Sequence, residues 1–94
     1  MFFVYILYSQ KLSKYYIGTT DNIQERLVEH NQGENRNSFT LRGRPWELFF
    51  LIEGLESNQA YEIEKHIKRM KSSKFIENLK KYSELAYKLK GRYK

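Results

Sequence analysis

A strand that gives way to a helix within a few residues, KYYIGTTDNIQERLVEH from Lys14 to His30, constrains this chain more than any other stretch. Period two over Lys14 to Thr19 puts Tyr16 and Gly18 on one face and Tyr15 and Ile17 on the other. Gly18 leaves its face open, and a glycine inside a strand usually marks a bulge or the close approach of a backbone or ligand. Thr20, Asp21 and Asn22 are all competent N-caps, after which Ile23, Leu27, His30 and Asn31 recur at helical spacing until Gly33. Ile23 and Leu27 define the buried stripe, and Arg26 and His30 lie four residues apart along its margin, both within reach of the crevice beside Tyr16.

The flanking segments complete a small domain. Phe2 to Tyr8 is apolar on both faces and reads as a central strand, joined to Lys14–Thr19 by the polar turn Ser9 to Ser13 as an antiparallel hairpin. This apolar run of seven residues is far too short for a membrane span, has neither a basic leader nor a cleavage site, and leaves the chain reading as mature. Gln32 to Pro45 reads as a mobile loop carrying Arg36, Arg42 and Arg44, and Trp46 to Ile52 as a third strand. Ser57 can cap a second helix to about Lys71, with Ala60, Ile63, Ile67 and Met70 inward. Ser72 or Ser73 then starts a third helix with one stripe of Phe75, Leu79, Tyr82, Ala86, Leu89 and Tyr93, and lysines elsewhere. Trp46 and Met70 are assigned to the core. The order β-β-α-β-α-α predicts an α+β fold: one domain over residues 1–94, with a three-stranded antiparallel sheet flanked by three helices, a core over about 2–80 and a basic C-terminal helix over about 73–90.

Charge is divided unevenly. Residues 1–64 carry six Lys/Arg against nine Asp/Glu, a balance of −3, and residues 65–94 carry eleven against two, a balance of +9. Such a field points to a polyanionic partner, most simply nucleic acid, although a solvated lysine-rich helix surface accounts for charge alone equally well. There is no cysteine, which excludes a thiol nucleophile, a thiolate metal site and a disulfide framework and fits a cytoplasmic setting.

Against this patterning stand Tyr16, Arg26, His30 and Glu64, with Tyr5 one strand away. Glu64 falls inside the apolar stripe of its helix, where a carboxylate costs several kcal/mol, roughly, unless paired or metal-bound. In this order the residues resemble the GIY-YIG endonuclease superfamily, in the small standalone form found in bacteria. The first half-motif is Phe3-Val4-Tyr5, the second Tyr16-Ile17-Gly18, and Arg26 and Glu64 follow in helices over a resemblance spanning residues 2 to about 80. Phe3 stands where that family has glycine, narrowing the crevice near Tyr5. Thr19 stands where related repair nucleases have lysine, and His30 where some relatives have tyrosine.

The resemblance implies metal-dependent hydrolysis of DNA phosphodiesters, in repair or recombination, with Tyr5, Tyr16, Arg26, His30 and Glu64 as the catalytic set. Glu64, an oxygen donor, suits Mg²⁺ or Mn²⁺ retaining several waters, with weak binding in the absence of substrate. Tyr16 would take the proton of the attacking water, although a free phenol ionises near pH 10, roughly. Arg26 would hold a phosphate oxygen, His30 relay a proton or contact phosphate, and Tyr5 position the water or Tyr16. Arg42, Arg44, Lys68 and Lys71 are candidates for contact with nucleic acid.

Each residue also has a packing role to weigh: Tyr5 and Tyr16 as core aromatics, Arg26 paired with Glu25, Glu29 or Glu64, Glu64 paired with Lys68, and His30 at a helix end. A non-catalytic nucleic-acid-binding module of the same fold is the alternative function, motivated by Phe3 and the sparse metal ligands. A third reading, a protein-interaction adaptor, requires the C-terminal aromatic stripe to project from the core. No reading domain is evident, so a nuclease of this size would act on structured or damaged DNA, dimerise, or rely on a targeting partner.

Overall fold

Strand β1 (Phe2–Ser9), apolar on both faces, occupies the middle of a three-stranded antiparallel sheet of order β2-β1-β3. The computed structural model describes residues 1–32 and 42–94; the expectations for Gly33 and Arg36 lie outside the described residues. Strand β2 (Lys14–Thr20) pairs with β1 in the register Tyr5↔Gly18 and Leu7↔Tyr16, and β3 (Trp46–Leu55) pairs on the other side, with Tyr5 opposite Leu51. Helices α1 (Ile23–Gln32), α2 (Ser57–Met70), α3 (Ser73–Lys81) and α4 (Ser83–Arg92) complete the α+β architecture among the described residues.

Alternation along β1 feeds two cores. Val4 and Ile6 join Ile52, Leu55, Ala60, Ile63, Ile67, Ile76, Leu79 and Leu89 under helices α2–α4. Tyr5 and Leu7 point the other way, with Trp46, toward Tyr16, Ile23 and Leu27 and hence helix α1. The stretch from Lys14 to His30 therefore contributes to one layer of a helix–sheet–helix sandwich, with β2 at one of the two sheet edges.

The notch at Gly18 proves to be filled from within the sheet. A Cβ on Gly18 would lie 2.9 Å from Cε1 of Tyr5 and closer still to Cζ and Oη. A protein side chain, rather than another backbone or a ligand, is what demands the glycine. Helix α1 starts where the caps allowed: the Asn22 side-chain oxygen accepts the Glu25 N–H at 3.1 Å, and the Thr20 hydroxyl accepts the Asn22 N–H at 3.1 Å.

Four expectations are corrected. Strand β3 continues to Leu55, beyond Ile52. Helix α2 is capped by Glu56 in a reciprocal capping box with Gln59, so Ser57 is already helical. Met70 is 45% exposed, not core, because α2 ends there and Lys71, at φ 48°, turns the chain away toward α3. The single C-terminal helix is two. Tyr82 adopts an extended backbone; its N–H closes α3 on the Asn78 carbonyl at 2.8 Å and its own carbonyl accepts from Leu85 at 3.1 Å.

That break allows Leu79 and Leu89, on successive short helices, to reach the same core, while Tyr82 is left exposed. Helix α4 is fastened where Gln59 Nε2 donates to the Lys90 carbonyl at 3.0 Å and Tyr93 Oη is hydrogen-bonded to His66 Nδ1 at 2.7 Å. The stripe is thus internal at Phe75, Leu79, Ala86, Leu89 and Tyr93, which removes most of the basis of the adaptor reading, while Tyr82 and Tyr87, the latter also named for that reading, stay exposed.

Replacing Gly18 by Ala must displace the Tyr5 ring, a small-to-large change in a packed site. Stability is expected to fall by about 1–3 kcal/mol in urea titration. The double variant with Tyr5→Leu should show a coupling that recovers part of this loss; independent, additive losses would refute the steric account.

Candidate active site

Two strands and one helix converge on a single phenol. Tyr5, 2% exposed, lies over Gly18 with its hydroxyl 3.2 Å from His30 Nε2. Its ring stacks with Tyr16 at 6.4 Å between centroids, and His30 meets Tyr16 edge-on at 4.6 Å. The sequence puts His30 on the margin of α1; it is instead the fully buried residue of that helix, at 1% exposure. The neighbouring Asn31 explains the depth. Its side-chain amide donates to the Trp46 carbonyl at 3.1 Å and its oxygen accepts the Trp46 N–H at 2.5 Å, bolting the end of α1 to the start of β3.

From the other side of the sheet, Glu64 reaches the edge strand. The Thr19 hydroxyl donates to one of its carboxylate oxygens and Lys68 Nζ donates to the other at 2.6 Å, with the Glu64 side chain 17% exposed. Arg26 is half-exposed at the mouth of the crevice, with Nε 3.6 Å from a Glu29 carboxylate oxygen. The i,i+4 pairing of Glu64 with Lys68 is present, and of the partners weighed for Arg26 it is Glu29 that lies closest. Arg42 and Arg44 are both exposed, Arg44 beside a shallow recess shared with Lys11 and Asn31, and Lys71 stands one turn beyond Lys68. Tyr5, Tyr16 and His30 are thus in mutual contact, with Arg26 and Glu64 within electrostatic reach of Tyr5.

The catalytic domain of the GIY-YIG type matches residues 1–82 of this sequence. The chain belongs to the GIY-YIG family. A segment of 48 residues is 42% identical to the structure-specific endonuclease subunit slx1 of Neosartorya fischeri, covering 48% of this chain and 12% of the fungal protein. The chain thus spans a small part of that relative's length. No solved structure matches it significantly.

The two GIY-YIG half-motifs are neighbouring strands whose tyrosines face the same layer. Phe3, in place of the family's glycine, is half-buried two residues before Tyr5 and opposite Thr20. Burial pushes the Tyr5 phenol well above its ordinary value, the Tyr16, Glu64 and Glu29 charges add to this, and Arg26 opposes it. Tyr5 therefore stays protonated near neutral pH, with an O–H available to donate a hydrogen bond. Burial, helped by Arg26 and opposed by Glu29, lowers the His30 pKa, so its imidazole is neutral near pH 7. His30 Nδ1 is buried without a hydrogen-bond partner among the described residues. The arrangement that strands no N–H has Nε2–H donating to the Tyr5 oxygen, leaving Nδ1 a bare acceptor and the Tyr5 proton free to face the crevice.

GIY-YIG chemistry calls for a divalent cation. Among the described residues no cluster of three His, Cys, Asp or Glu side chains exists, and of the two nearby acids Glu29 is paired with Arg26, which leaves Glu64 as the candidate ligand. Each carboxylate oxygen has two lone-pair positions, so the contacts with Thr19 and Lys68 leave capacity for a hard cation that keeps most of its waters. The residues fit such an ion in this sparse form. Two members of the arrangement carry no clear signal in the sequence. Thr19 was visible only as a departure from the family pattern, and Asn31 only as one more residue at helical spacing.

The folded-state pKa of His30 lies below the unfolded value, so the unfolded chain takes up a proton first as pH falls. The stability this residue contributes is present above about pH 6.5 and is lost as pH drops through its folded pKa. His66 is shifted the same way, by burial and by Arg92 and Arg69. Denaturant unfolding at about pH 7.5 and about pH 5.5 should therefore show a decline in stability that becomes smaller in both His30→Gln and His66→Gln. An undiminished decline in His30→Gln would remove His30 from the account.

Proposed function

We propose that this chain is a divalent-metal-dependent endonuclease that hydrolyses DNA phosphodiester bonds, on structured DNA of the kind met in repair and recombination. The observation that carries this reading is the convergence of a protonated Tyr5, a neutral buried His30, Tyr16, Arg26 and the inward Glu64 at one edge of the sheet. A packing role alone does not require two tyrosines, a neutral imidazole, a guanidinium and a carboxylate within electrostatic reach of one another.

In this reading Tyr16 takes the proton of the attacking water, which forms the new bond to phosphorus as the bond to the leaving sugar oxygen breaks. His30 would relay a proton or contact phosphate, its edge-on packing holds the Tyr16 ring in place, and the leaving oxygen takes its proton from solvent water. The Tyr5 hydroxyl orients the water or Tyr16 by hydrogen bonding. Arg26, in a partly exposed ion pair with Glu29, can exchange that partner for a phosphate oxygen and strengthen its hold as charge builds. Glu64 would hold a Mg²⁺ or Mn²⁺ ion, whose chemistry when bound is to polarise a phosphoryl oxygen.

The fungal relative is named a structure-specific endonuclease subunit, and this supports branched or otherwise structured DNA as the substrate class and a targeting protein, or a second copy, as the means of selection. A non-catalytic nucleic-acid-binding module is the second reading, favoured by the Lys68 ammonium lying directly on Glu64.

The assay that separates them is cleavage of supercoiled plasmid and of branched DNA with Mg²⁺ or Mn²⁺, for wild type, Glu64→Ala and Arg26→Ala. The nuclease reading expects binding retained in Glu64→Ala with cleavage abolished, and a loss of about 10²–10³-fold in kcat for Arg26→Ala, as on removing a transition-state hydrogen-bond donor. Binding without cleavage in every protein, wild type included, would favour the second reading. Equal residual cleavage in wild type and Glu64→Ala would reject this active site.

A further inference from the structure

On the sheet face opposite Tyr5, a groove of about 480 Å³ opens between the start of β2 and the elbow joining α2 to α3. Ile17, Ile67 and Ile76 form its apolar lining, Lys14, Lys68 and Lys71 supply its charge, and among the described residues no carboxylate lines it, the nearest acids being Glu64 on Lys68 and Glu77 within electrostatic reach of Tyr15. Lys14 and Lys71 have no ion-pair partner among the described residues. Lys68 is bound to Glu64 at 2.6 Å, so the groove begins where the candidate active site ends.

Ammonium groups gathered around one recess repel one another and focus a positive potential into it. The complementary occupant carries closely spaced negative charges along a line. Lys68 lies in the last turn of α2 and Lys71 just past its end, so both border the recess at the elbow. The Ser72 hydroxyl accepts the Phe75 N–H at 3.1 Å and keeps its own O–H to donate, as do Ser13 and Ser73 on the same lining, so hydroxyls can supplement the lysines.

We propose that this groove seats backbone phosphates of the nucleic-acid strand on one side of the scissile bond. The strand would cross the β2 edge at Glu64, exchange its phosphates onto Lys68, and continue to Lys71 and Lys14. The proposal rests on the nuclease reading for the direction of the strand, while the seat itself is a binding property measurable without cleavage.

The test uses a fluorescent single-stranded DNA oligonucleotide, the full chain and no divalent metal, with affinity followed against salt. Lys14→Gln combined with Lys71→Asn removes two groove charges while retaining a residue that tolerates the left-handed backbone at position 71. The control, Lys88→Gln with Lys94→Gln, removes two exposed charges outside the groove lining. The groove variant should bind more weakly, with a salt slope shallower by about 0.7 for each lost phosphate contact, and the control should keep the wild-type slope; thermal unfolding verifies that both are folded. Equal losses in the two variants, no binding by wild type, or equally tight lysine-dependent binding of polyglutamate would overturn the seat. Glu64→Gln in the same experiment should retain binding, and its cleavage is measured separately. Persisting cleavage by Glu64→Gln would sink the active-site reading while leaving the result on the groove to stand.

Discussion

The Tyr5 ring lying in the notch of Gly18, with its hydroxyl against His30, is the contact on which the rest of the site depends. It joins three elements through one side chain. A residue larger than glycine at position 18 would exclude the ring, and a one-residue slip of β2 would turn Tyr16 and Gly18 to the wrong layer. The hydrogen bond then sets the depth of α1, with Asn31 holding the same end of the helix on Trp46. The Cβ missing from Gly18 is thus a condition for the packing that buries His30 and keeps it neutral.

Strand β2 also explains how side chains from opposite layers come close together. Successive residues of a strand face opposite sides, so Gly18 receives Tyr5 on one face and Thr19 holds Glu64 on the other. In a central strand these environments would be separated by the sheet. At an edge they are separated only by the strand itself, and a substrate draped over it can meet both.

Much of this was legible in the sequence for a definite physical reason. Strand and helix periodicity is carried by residues whose burial is all-or-none, such as Val4, Ile6, Ile63 and Ile67, so the order of elements, the central place of β1 and the facing of Tyr16 and Gly18 could be read directly. What escaped depends on one-off geometry. The split at Tyr82 has no proline or glycine to announce it; it follows from where Leu79 and Leu89 must land. The Met70 stripe failed because periodicity continues past the point where the helix stops touching anything. At the site, Glu64 stood out because it broke the pattern, whereas Thr19 and Asn31 act through single hydrogen bonds that polar residues on any strand or helix could make.

Glu64 shows why a violation of binary patterning need not be costly. An isolated inward carboxylate would be heavily penalised, but this one stops short of the core, keeps 17% of its side chain exposed, and has a hydroxyl on one oxygen and an ammonium on the other. The Lys68 side chain is itself 53% exposed, so the pair is screened and its net contribution to stability is small. A partner held so weakly can be exchanged at little cost. The same lysine also lines the groove beyond α2, so one ammonium borders both the carboxylate and the recess.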